Sequence, residues 1–311
     1  MELMVFSGTA NPGLSKGIAD YLKISLGKIE IKRFADSEIY VRFLENIRGK
    51  DVFLIQGTSK PVNENLMELL VMIDAAKRAS AARITAVMPY FGYARQDRKA
   101  TSREPITAKL VADIVSKAGA DRVITLDLHS GQLQGFFNIP LDNLTSSIKL
   151  MDYAKNKNLD NLLVVAPDAG AAKNSTKIAR KLGTELAIVN KARAKHNEAE
   201  VCNIIGEVSG MNCIMFDDLI DTAGTICCVA GELKKAGAKE IFACASHGLF
   251  SKDALEKISK APISEVVVTN SIPQETNQKA CKKIKTIEIA DLIGEAINRT
   301  HKNESISSLF D

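Results

Sequence analysis

Apolar and polar residues follow each other along the chain as short apolar runs separated by amphipathic stretches. One such stretch carries apolar residues at positions 62, 66, 69, 70 and 73, which is the spacing of one face of a helix. Strands that alternate with helices predict an α/β fold built on largely parallel sheets. The predicted strands are residues 4–6, 52–55, 84–88, 123–128, 162–166, 187–189, 213–216, 241–245 and 265–269.

The two halves of the chain repeat one arrangement of these runs. Residues 49–56 match residues 210–217, both reading as a small residue, a polar residue and then apolar ones, and segments on either side match at nearly the same offset. Three segments in one order favour two copies of a domain over a chance likeness between βαβ units. We therefore predict a first domain over residues 1–143, a second over 144–300 and a tail over 301–311.

The composition excludes several classes of protein. The 311 residues include 41 Lys and Arg against 37 Asp and Glu, and no block of about five or six like charges is present, which argues against a nucleic-acid partner. No apolar run approaches the length of a membrane span and no leader is evident, so we expect a cytoplasmic protein without a membrane partner. The six cysteines form no C-x-x-C pair, and we expect free thiols.

The most informative stretch is IMFDDLIDTAGT, residues 214–225. An apolar strand leads into Asp217 and Asp218, and small residues then precede a helical pattern. Small residues at such a loop let backbone N–H groups approach a phosphate, while the two carboxylates would repel it. Both parts fit a phosphorylated sugar whose vicinal hydroxyls donate to the carboxylates. A capped helix start is the alternative, and it accounts for only one of the acidic residues.

Four further segments carry candidate chemistry, and each is ambiguous when taken alone. A cationic loop over residues 95–103 leads into a helix whose first turn is predicted to include Pro105; it is either a polyphosphate contact or a solvated surface. The segment FADSE at residues 34–38 combines an aromatic face with acids. His129 and Asp168 each follow a predicted strand, and Lys191-Ala192-Arg193 follows another.

Taken in their order along the chain, these motifs resemble those of the ribose-phosphate pyrophosphokinases, and the resemblance covers essentially residues 1–311. It implies two similar domains of the type I phosphoribosyltransferase fold, each a mostly parallel sheet flanked by helices. It also implies transfer of the β,γ-diphosphate of Mg-ATP to the anomeric hydroxyl of ribose 5-phosphate, which gives phosphoribosyl pyrophosphate and AMP for nucleotide biosynthesis. The implied partners are ATP, ribose 5-phosphate and further copies of the chain, as a homohexamer or another homo-oligomer.

The resemblance also assigns roles to individual residues. It implies catalysis by Lys191 and Arg193, and a magnesium ion held by His129 and Asp168. The implied ATP-binding residues are Phe34, Asp36, Ser37, Glu38, Arg95 and Gln96, with FADSE reaching a neighbouring subunit's site. The implied lid cations are Arg98, Lys99 and Arg103. The loop that faces the diphosphate would comprise Asp168, Ala169, Gly170 and Ala171. The implied ribose 5-phosphate contacts are Arg193, Asp217, Asp218, Asp221, Thr222, Ala223, Gly224 and Thr225.

Two alternatives belong to other classes of function. One is a non-catalytic homologue that regulates an active enzyme, which would be expected to lose lid or Lys191–Arg193 residues. The other is a phosphoribosyltransferase, which would need one sugar-phosphate domain and a nucleobase-binding hood. The residues leave the general base undecided between Asp217 and Asp218. AMP formation that depends on ribose 5-phosphate distinguishes all three hypotheses.

Overall fold

A computed structural model describes residues 1–192 and 201–309 of the chain. The strands are β1 (Leu3–Ser7), β2 (Ile29–Arg33), β3 (Ile39–Phe43), β4 (Asp51–Ile55), β5 (Arg83–Met88), β6 (Arg122–Leu126), β7 (Leu141–Leu144), β8 (Leu162–Ala166), β9 (Glu185–Ala192), β10 (Val201–Ile205), β11 (Asn212–Ile220), β12 (Glu240–Gly248), β13 (Glu265–Thr269) and β14 (Ile284–Ile287). The α-helices are α1 (Pro12–Leu22), α2 (Val62–Arg78), α3 (Thr107–Ala118), α4 (Ser147–Asn156), α5 (Ala172–Leu182), α6 (Gly224–Lys235), α7 (Ala254–Lys260), α8 (Glu275–Ala280) and α9 (Ala290–Lys302). Two short 3-10 helices span Gly131–Phe136 and Ser307–Leu309.

The first compact unit comprises Met1–Ser146, Asn270–Pro273 and the described residues from Glu288 onward. Its main sheet has the order β1-β4-β5-β6-β7, and every neighbouring pair is parallel. Helices α2 and α3 bury apolar residues against one face, and α1 and α9 cover the other. Because both faces are covered, β4 is buried along its whole length, as expected for a parallel sheet. The hairpin β2–β3 forms a small sheet of its own.

The second unit comprises the described residues of Ser147–Thr269, together with Gln274–Ile287. Its sheet has the order β10-β9-β8-β11-β12-β13-β14, in which β10 pairs antiparallel with β9 and the other neighbours are parallel. Helices α6 and α7 pack on one face, and α4 and α5 pack on the other. The carboxyl ends of β9, β8 and β11 therefore lie side by side along one edge of this sheet.

The two units share one topology. The order β1-β4-β5-β6-β7 in the first corresponds to β8-β11-β12-β13-β14 in the second. In each unit a helix and an antiparallel strand pair lie between the first two of these strands along the chain. The predicted α/β class with two similar, mostly parallel sheets flanked by helices is thus confirmed.

The C-terminal end of the chain differs from the predicted domain limits, which placed residues 144–300 in the second domain and 301–311 in a tail. Helix α9 packs against α1 in the first unit. Its residues Ile293 and Ile297 are buried with Val5 and Ile18, so that their burial completes one face of the first sheet. Sequence order alone did not reveal this return of the chain.

Several predicted boundaries were also wrong. The prediction ended strands at residues 189 and 216, where the apolar runs stop, but β9 extends to Ala192 and β11 extends to Ile220. Backbone pairing with β12 extends β11 beyond its apolar run, through Asp217 and Asp218 to Ile220. Helix α3 begins at Thr107, so Pro105 precedes the helix and is not in its first turn. The short strands β2, β3, β7, β10 and β14 were not predicted.

Helix α2 confirms the predicted apolar face, since Leu69 and Ile73 are fully buried against the sheet and Leu66 and Leu70 pack beside them. Cysteines 213, 227, 228, 244 and 281 are free thiols, as predicted. Burial raises the pKa of Cys213 to about 11, so that this thiol stays protonated in the core of the second unit.

Candidate functional site

The acidic residues of β11 lie near its carboxyl end, beyond the point where its pairing with β8 stops. Pairing with β8 ends at Met215, whereas pairing with β12 continues from Asp217 to Ile220. Asp217 and Asp218 are both half-buried, and the backbone N–H of Asp218 donates to Oδ1 of Asp217 at 2.9 Å. The strand therefore holds two adjacent carboxylates at the carboxyl end of the sheet, where ligands of parallel α/β folds bind.

The electrostatics of this carboxylate pair are strained. Burial raises the pKa of Asp217 well above its usual range, and the hydrogen bond and charge of Asp218 raise it further. The charge of Asp168 adds to the effect, while the N–H of Asp218 opposes it. A group that donates hydrogen bonds, such as a sugar hydroxyl, would relieve this repulsion because it stabilises the charged form of both carboxylates.

The loop after β11 ends in a left-handed residue directly before the start of a helix. Ala223 adopts the left-handed conformation with φ of 58°, which costs an L-residue about 1–2 kcal/mol. Helix α6 begins at the next residue, and both Gly224 and Thr225 are exposed there. The first N–H groups of a helix have no partner within the helix, so they are available to an anion. Strain at such a turn is typical of a functional site.

A second loop follows β8, the strand beside β11. Asp168 is exposed, and its Oδ1 accepts the backbone N–H of Ala171 at 2.9 Å, just before α5 begins at Ala172. Ala169 and Gly170 are exposed between them. The structure thus places the predicted diphosphate loop next to the acidic strand end in the same unit, in agreement with the effect of the Asp168 charge on Asp217.

The backbone of Lys191 lies near the end of β9, the strand on the other side of β8. This position is at the same sheet edge as Asp168 and Asp217. Arg193 lies outside the described residues. Among the predicted residues of the second unit, the structure therefore brings together the carboxylate pair, both loops and the backbone of Lys191.

The remaining predicted residues belong to the first unit. FADSE forms the tip of the hairpin β2–β3, where the N–H of Phe34 donates to the carbonyl of Glu38 at 2.9 Å and Ser37 has φ of 78°. The Phe34 ring is 52% exposed and meets Tyr40 edge-on at 5.7 Å between ring centroids. This segment is thus a turn that projects an aromatic ring.

The cationic loop after β5 begins directly after a buried residue, and its own first residues are exposed. Ala94 is buried, while Arg95 and Gln96 are exposed. The hydroxyl of Thr107 donates to Oε1 of Gln96 at 2.5 Å, and the Gln96 carbonyl accepts the N–H of Ala108. Helix α3 therefore fixes Gln96 from its first turn.

Glu104 organises the predicted lid segment and was not among the predicted site residues. Its Oε2 accepts the N–H groups of Ala100 at 2.7 Å and Thr101 at 3.0 Å. The N–H of Thr101 is the main cause that lowers the pKa of Glu104, and the Thr101 hydroxyl and the Ala100 N–H add to it. The spacing Thr101-x-x-Glu104 is that of a capping box, and this signal was present in the sequence. The exposed lid cations are Arg98, Lys99 and Arg103.

His129 is exposed three residues after the end of β6. Asp127, which precedes it, is a structural residue: its Oδ2 accepts both the N–H and the hydroxyl of Ser146, at 2.8 and 2.6 Å. Within the described part of the chain, no group of three or more His, Cys, Asp and Glu side chains could hold a metal ion.

The two similar, mostly parallel sheets flanked by helices define an α/β protein built from two repeated units. Family models match residues 3–119, as the N-terminal domain of ribose phosphate pyrophosphokinase, and residues 193–311, as a phosphoribosyl synthetase-associated domain. The ribose-phosphate pyrophosphokinase of Maricaulis maris is 53% identical, with all of both chains covered. That of Thermotoga maritima is 54% identical, with 99% of this chain and 98% of the relative covered.

A solved structure extends the similarity to three dimensions. The phosphoribosylpyrophosphate synthetase from Mycobacterium smegmatis matches with a TM-score of 0.92 and 39% identity, over 97% of this chain and 100% of that one. The chain therefore belongs to the ribose-phosphate pyrophosphokinase family of enzymes. Of the helices described, none is both long and apolar enough to cross a lipid bilayer.

Proposed function

We propose that the chain transfers the β,γ-diphosphate of ATP to the anomeric hydroxyl of ribose 5-phosphate, forming phosphoribosyl pyrophosphate and AMP. The observation that carries the substrate assignment is the half-buried pair Asp217 and Asp218 near the end of β11, with the left-handed Ala223 and the start of α6 in the loop that follows. The two carboxylates can accept hydrogen bonds from the ribose hydroxyls, and the N–H groups at the helix start can donate to the 5-phosphate. The arrangement therefore fits both the sugar and the phosphate of ribose 5-phosphate.

On the sugar side, residues 221–225 bind the 5-phosphate through the N–H groups at the start of α6 and the hydroxyls of Thr222 and Thr225. Asp217 and Asp218 accept hydrogen bonds from the vicinal hydroxyls of the ribose. Asp168, Ala169, Gly170 and Ala171 form the loop that faces the transferred diphosphate. The position of this loop beside the acidic strand end supports the assignment.

On the nucleotide side, Arg95 and Gln96 contact ATP, and the lid cations Arg98, Lys99 and Arg103 cover its phosphates. A closed lid excludes water, which matters because hydrolysis of ATP is the competing reaction. The exposed ring of Phe34 at the hairpin tip supports a stacking contact with adenine, to which Asp36, Ser37 and Glu38 add polar contacts. This segment serves the ATP site of a second copy, so that the active form is a homo-oligomer.

In the transfer, the anomeric oxygen attacks the β-phosphorus and the bond to the α-phosphate breaks, so that AMP leaves with that electron pair. Lys191 and Arg193 neutralise charge that develops on the non-bridging oxygens, which is mainly positioning and electrostatics. The proton of the attacking hydroxyl must also depart. Asp217 and Asp218 are both candidates to accept it.

A magnesium ion bound by Asp168 and His129 would neutralise and orient the phosphate oxygens of ATP. The exposed Asp168 carboxylate fits such a role, since hard oxygen ligands suit Mg²⁺. The assignment of His129 comes from the resemblance alone, because an imidazole nitrogen is a less typical magnesium ligand.

The direct test incubates the full chain with ATP, ribose 5-phosphate and Mg²⁺ and measures AMP by chromatography. We expect AMP and phosphoribosyl pyrophosphate in equal amounts, with no AMP when ribose 5-phosphate is omitted. AMP release that ignores ribose 5-phosphate, or no AMP at all, would contradict the proposal.

The catalytic lysine has its own test. Lys191→Ala is expected to lower kcat roughly 100-fold to 1000-fold, because one charged contact to the transition state is lost. Lys155→Ala, which removes an exposed lysine from α4, is the matched control and should leave kcat unchanged. A change below tenfold for Lys191→Ala would remove this residue from the catalytic role.

A further inference from the structure

A buried threonine of the first unit holds the loop that leads to the ATP-contacting residues. Thr58 lies in the loop between β4 and α2 and is 1% exposed. Its backbone N–H and its hydroxyl donate to the carbonyl oxygen of Tyr90, at 2.9 and 3.1 Å. Its Oγ1 also accepts the N–H of Gly92 at 2.6 Å. One side chain thus satisfies two backbone groups of the neighbouring loop, which follows β5.

The close approach of the two loops depends on a glycine. A Cβ atom at Gly92 would lie 2.4 Å from the carbonyl oxygen of Thr58 and 3.0 Å from its Oγ1. Only glycine can occupy this position without moving the Thr58 backbone. A second contact follows one residue later, where the hydroxyl of Tyr93 donates to the side-chain carbonyl of Asn63 in the first turn of α2.

The loop held in this way reaches Arg95 and Gln96 within a few residues. Tyr93 has φ of 66°, and its carbonyl accepts the N–H of Gln96 at 2.9 Å, so the backbone from Tyr93 to Gln96 forms a closed turn. Ala94, inside that turn, is buried in the core. The residues from Tyr90 to Tyr93 therefore set where Arg95 leaves the sheet, and they fix Gln96 together with the first turn of α3.

We propose that Thr58 is a positioning residue for the ATP site, which acts through Tyr90 and Gly92 on the placement of Arg95 and Gln96. The inference rests on the proposed function, since it takes these two residues as the ATP contacts. Replacing the hydroxyl by a methyl group removes the acceptor of the Gly92 N–H and leaves the Tyr90 carbonyl only the N–H of Thr58 from this residue. The loop would then relax away from the geometry that binds ATP.

The test compares Thr58→Val, which keeps the shape and removes the hydroxyl, with Thr58→Ser, which keeps the hydroxyl. We expect Thr58→Val to raise the KM for Mg-ATP roughly tenfold and to leave the KM for ribose 5-phosphate within about twofold, and Thr58→Ser to restore most of the ATP affinity. Thr85→Val is the matched control, because Thr85 is equally buried in β5 and its hydroxyl finds no partner among the described residues. It should change neither KM.

Tyr93→Phe keeps the inference testable if Thr58→Val folds poorly, since it removes only the exposed contact to Asn63. We expect a smaller rise in the same KM, about twofold to threefold. An unchanged KM for ATP in both variants, or an equal rise of both KM values, would overturn the positioning role. Failure of the proposed function is a separate result, because the wild-type chain would then form no AMP in response to ribose 5-phosphate.

Discussion

The two copies of the domain place different chemistry at the same point of one topology. The repeat that aligns residues 49–56 with residues 210–217 puts Gln56 opposite Asp217, immediately after β4 in the first copy and within β11 in the second. Gln56 is completely buried and neutral, whereas Asp217 is a half-buried carboxylate beside a second one. The comparison sets a position whose polar groups serve the fold beside one whose polar groups we propose bind the sugar.

In the first copy the polar groups satisfy one another. Gln56 accepts the N–H of Ala10 at 3.0 Å, and Glu68, which is 1% exposed, accepts both the N–H and the hydroxyl of Thr9 at 2.7 Å each. A Cβ atom at Gly8 would lie 2.2 Å from Oε1 of Gln56, so the loop after β1 is closed tightly over this amide. The N–H groups of Thr9 and Ala10 in this loop are therefore bound to the protein's own side chains.

In the second copy the corresponding groups repel one another. Asp217 faces the charges of Asp218 and Asp168, and the loop after β11 keeps a left-handed alanine. These features lower stability, and proteins commonly retain such features where a ligand relieves them. At the carboxyl end of the sheet, the same fold therefore holds polar groups that hydrogen-bond to one another in the first copy and carboxylates that repel one another in the second.

The largest effect should come from removing a carboxylate of the second copy. We expect Asp218→Ala to lower kcat/KM for ribose 5-phosphate roughly 100-fold to 1000-fold, about 3–4 kcal/mol, because it removes a charged contact to the reacting sugar. Steady-state kinetics with saturating Mg-ATP measure this change. Asp152→Ala, an exposed carboxylate on α4 of the same unit, is the control. Equal kinetics for both variants would show that the acidic pair does not contact the substrate.

The converse experiment places a carboxylate in the first copy. Gln56→Glu should destabilise the protein by about 2–4 kcal/mol at pH 8, since it places a negative charge at a completely buried position beside the Glu68 side chain. Urea unfolding measures the loss, which should shrink at pH 5 as the new group is protonated. Gln134→Glu adds the same charge at an exposed position and should change stability by less than about 0.5 kcal/mol. A stable Gln56→Glu variant would show that the first copy tolerates charge as the second does.

Much of the fold was predictable because burial on both faces of a parallel sheet leaves apolar runs that stand out in the sequence. Strands β4, β5 and β11 were found in this way, and the offset between the halves indicated the duplication. The short strands were missed because half-exposed segments such as β2 and β3 carry charged residues between their apolar ones. The return of α9 to the first unit depends on long-range packing, which periodicity does not encode.

A candidate site could be proposed from the sequence where a loop carries its own chemical signature, as in residues 217–225. The roles of Glu68 and Thr58 were not predictable, because each depends on partners that are distant in the chain: Thr9 lies 59 residues from Glu68, and Gly92 lies 34 residues from Thr58. Strained carboxylates such as Asp217 also look ordinary in sequence, since the pKa depends on burial and on the neighbouring charges.

The smallest effect concerns the stability of the second copy. Because burial and Asp218 raise the pKa of Asp217 in the folded chain, the unfolded state ionises first as pH rises. The wild-type protein therefore loses stability from about pH 4, the ordinary pKa of an aspartic acid, up through the raised folded value. Asp217→Asn removes this titration. We expect the variant to be more stable than the wild type by about 1–2 kcal/mol at pH 8 and equal to it near pH 4.

Urea unfolding across this pH range, without substrates, measures the difference in free energy of unfolding between Asp217→Asn and the wild type. Asp152→Asn, at an exposed position, is the matched control. Its free energy of unfolding, relative to that of Asp217→Asn, should show the same pH dependence as that of the wild type. The gain in stability should accompany a loss of kcat/KM for ribose 5-phosphate, as expected where a functional group is held at the expense of stability. A variant that is less stable at pH 8 would mean that Asp217, like Gln56 in the first copy, is bound into the fold rather than held for the sugar.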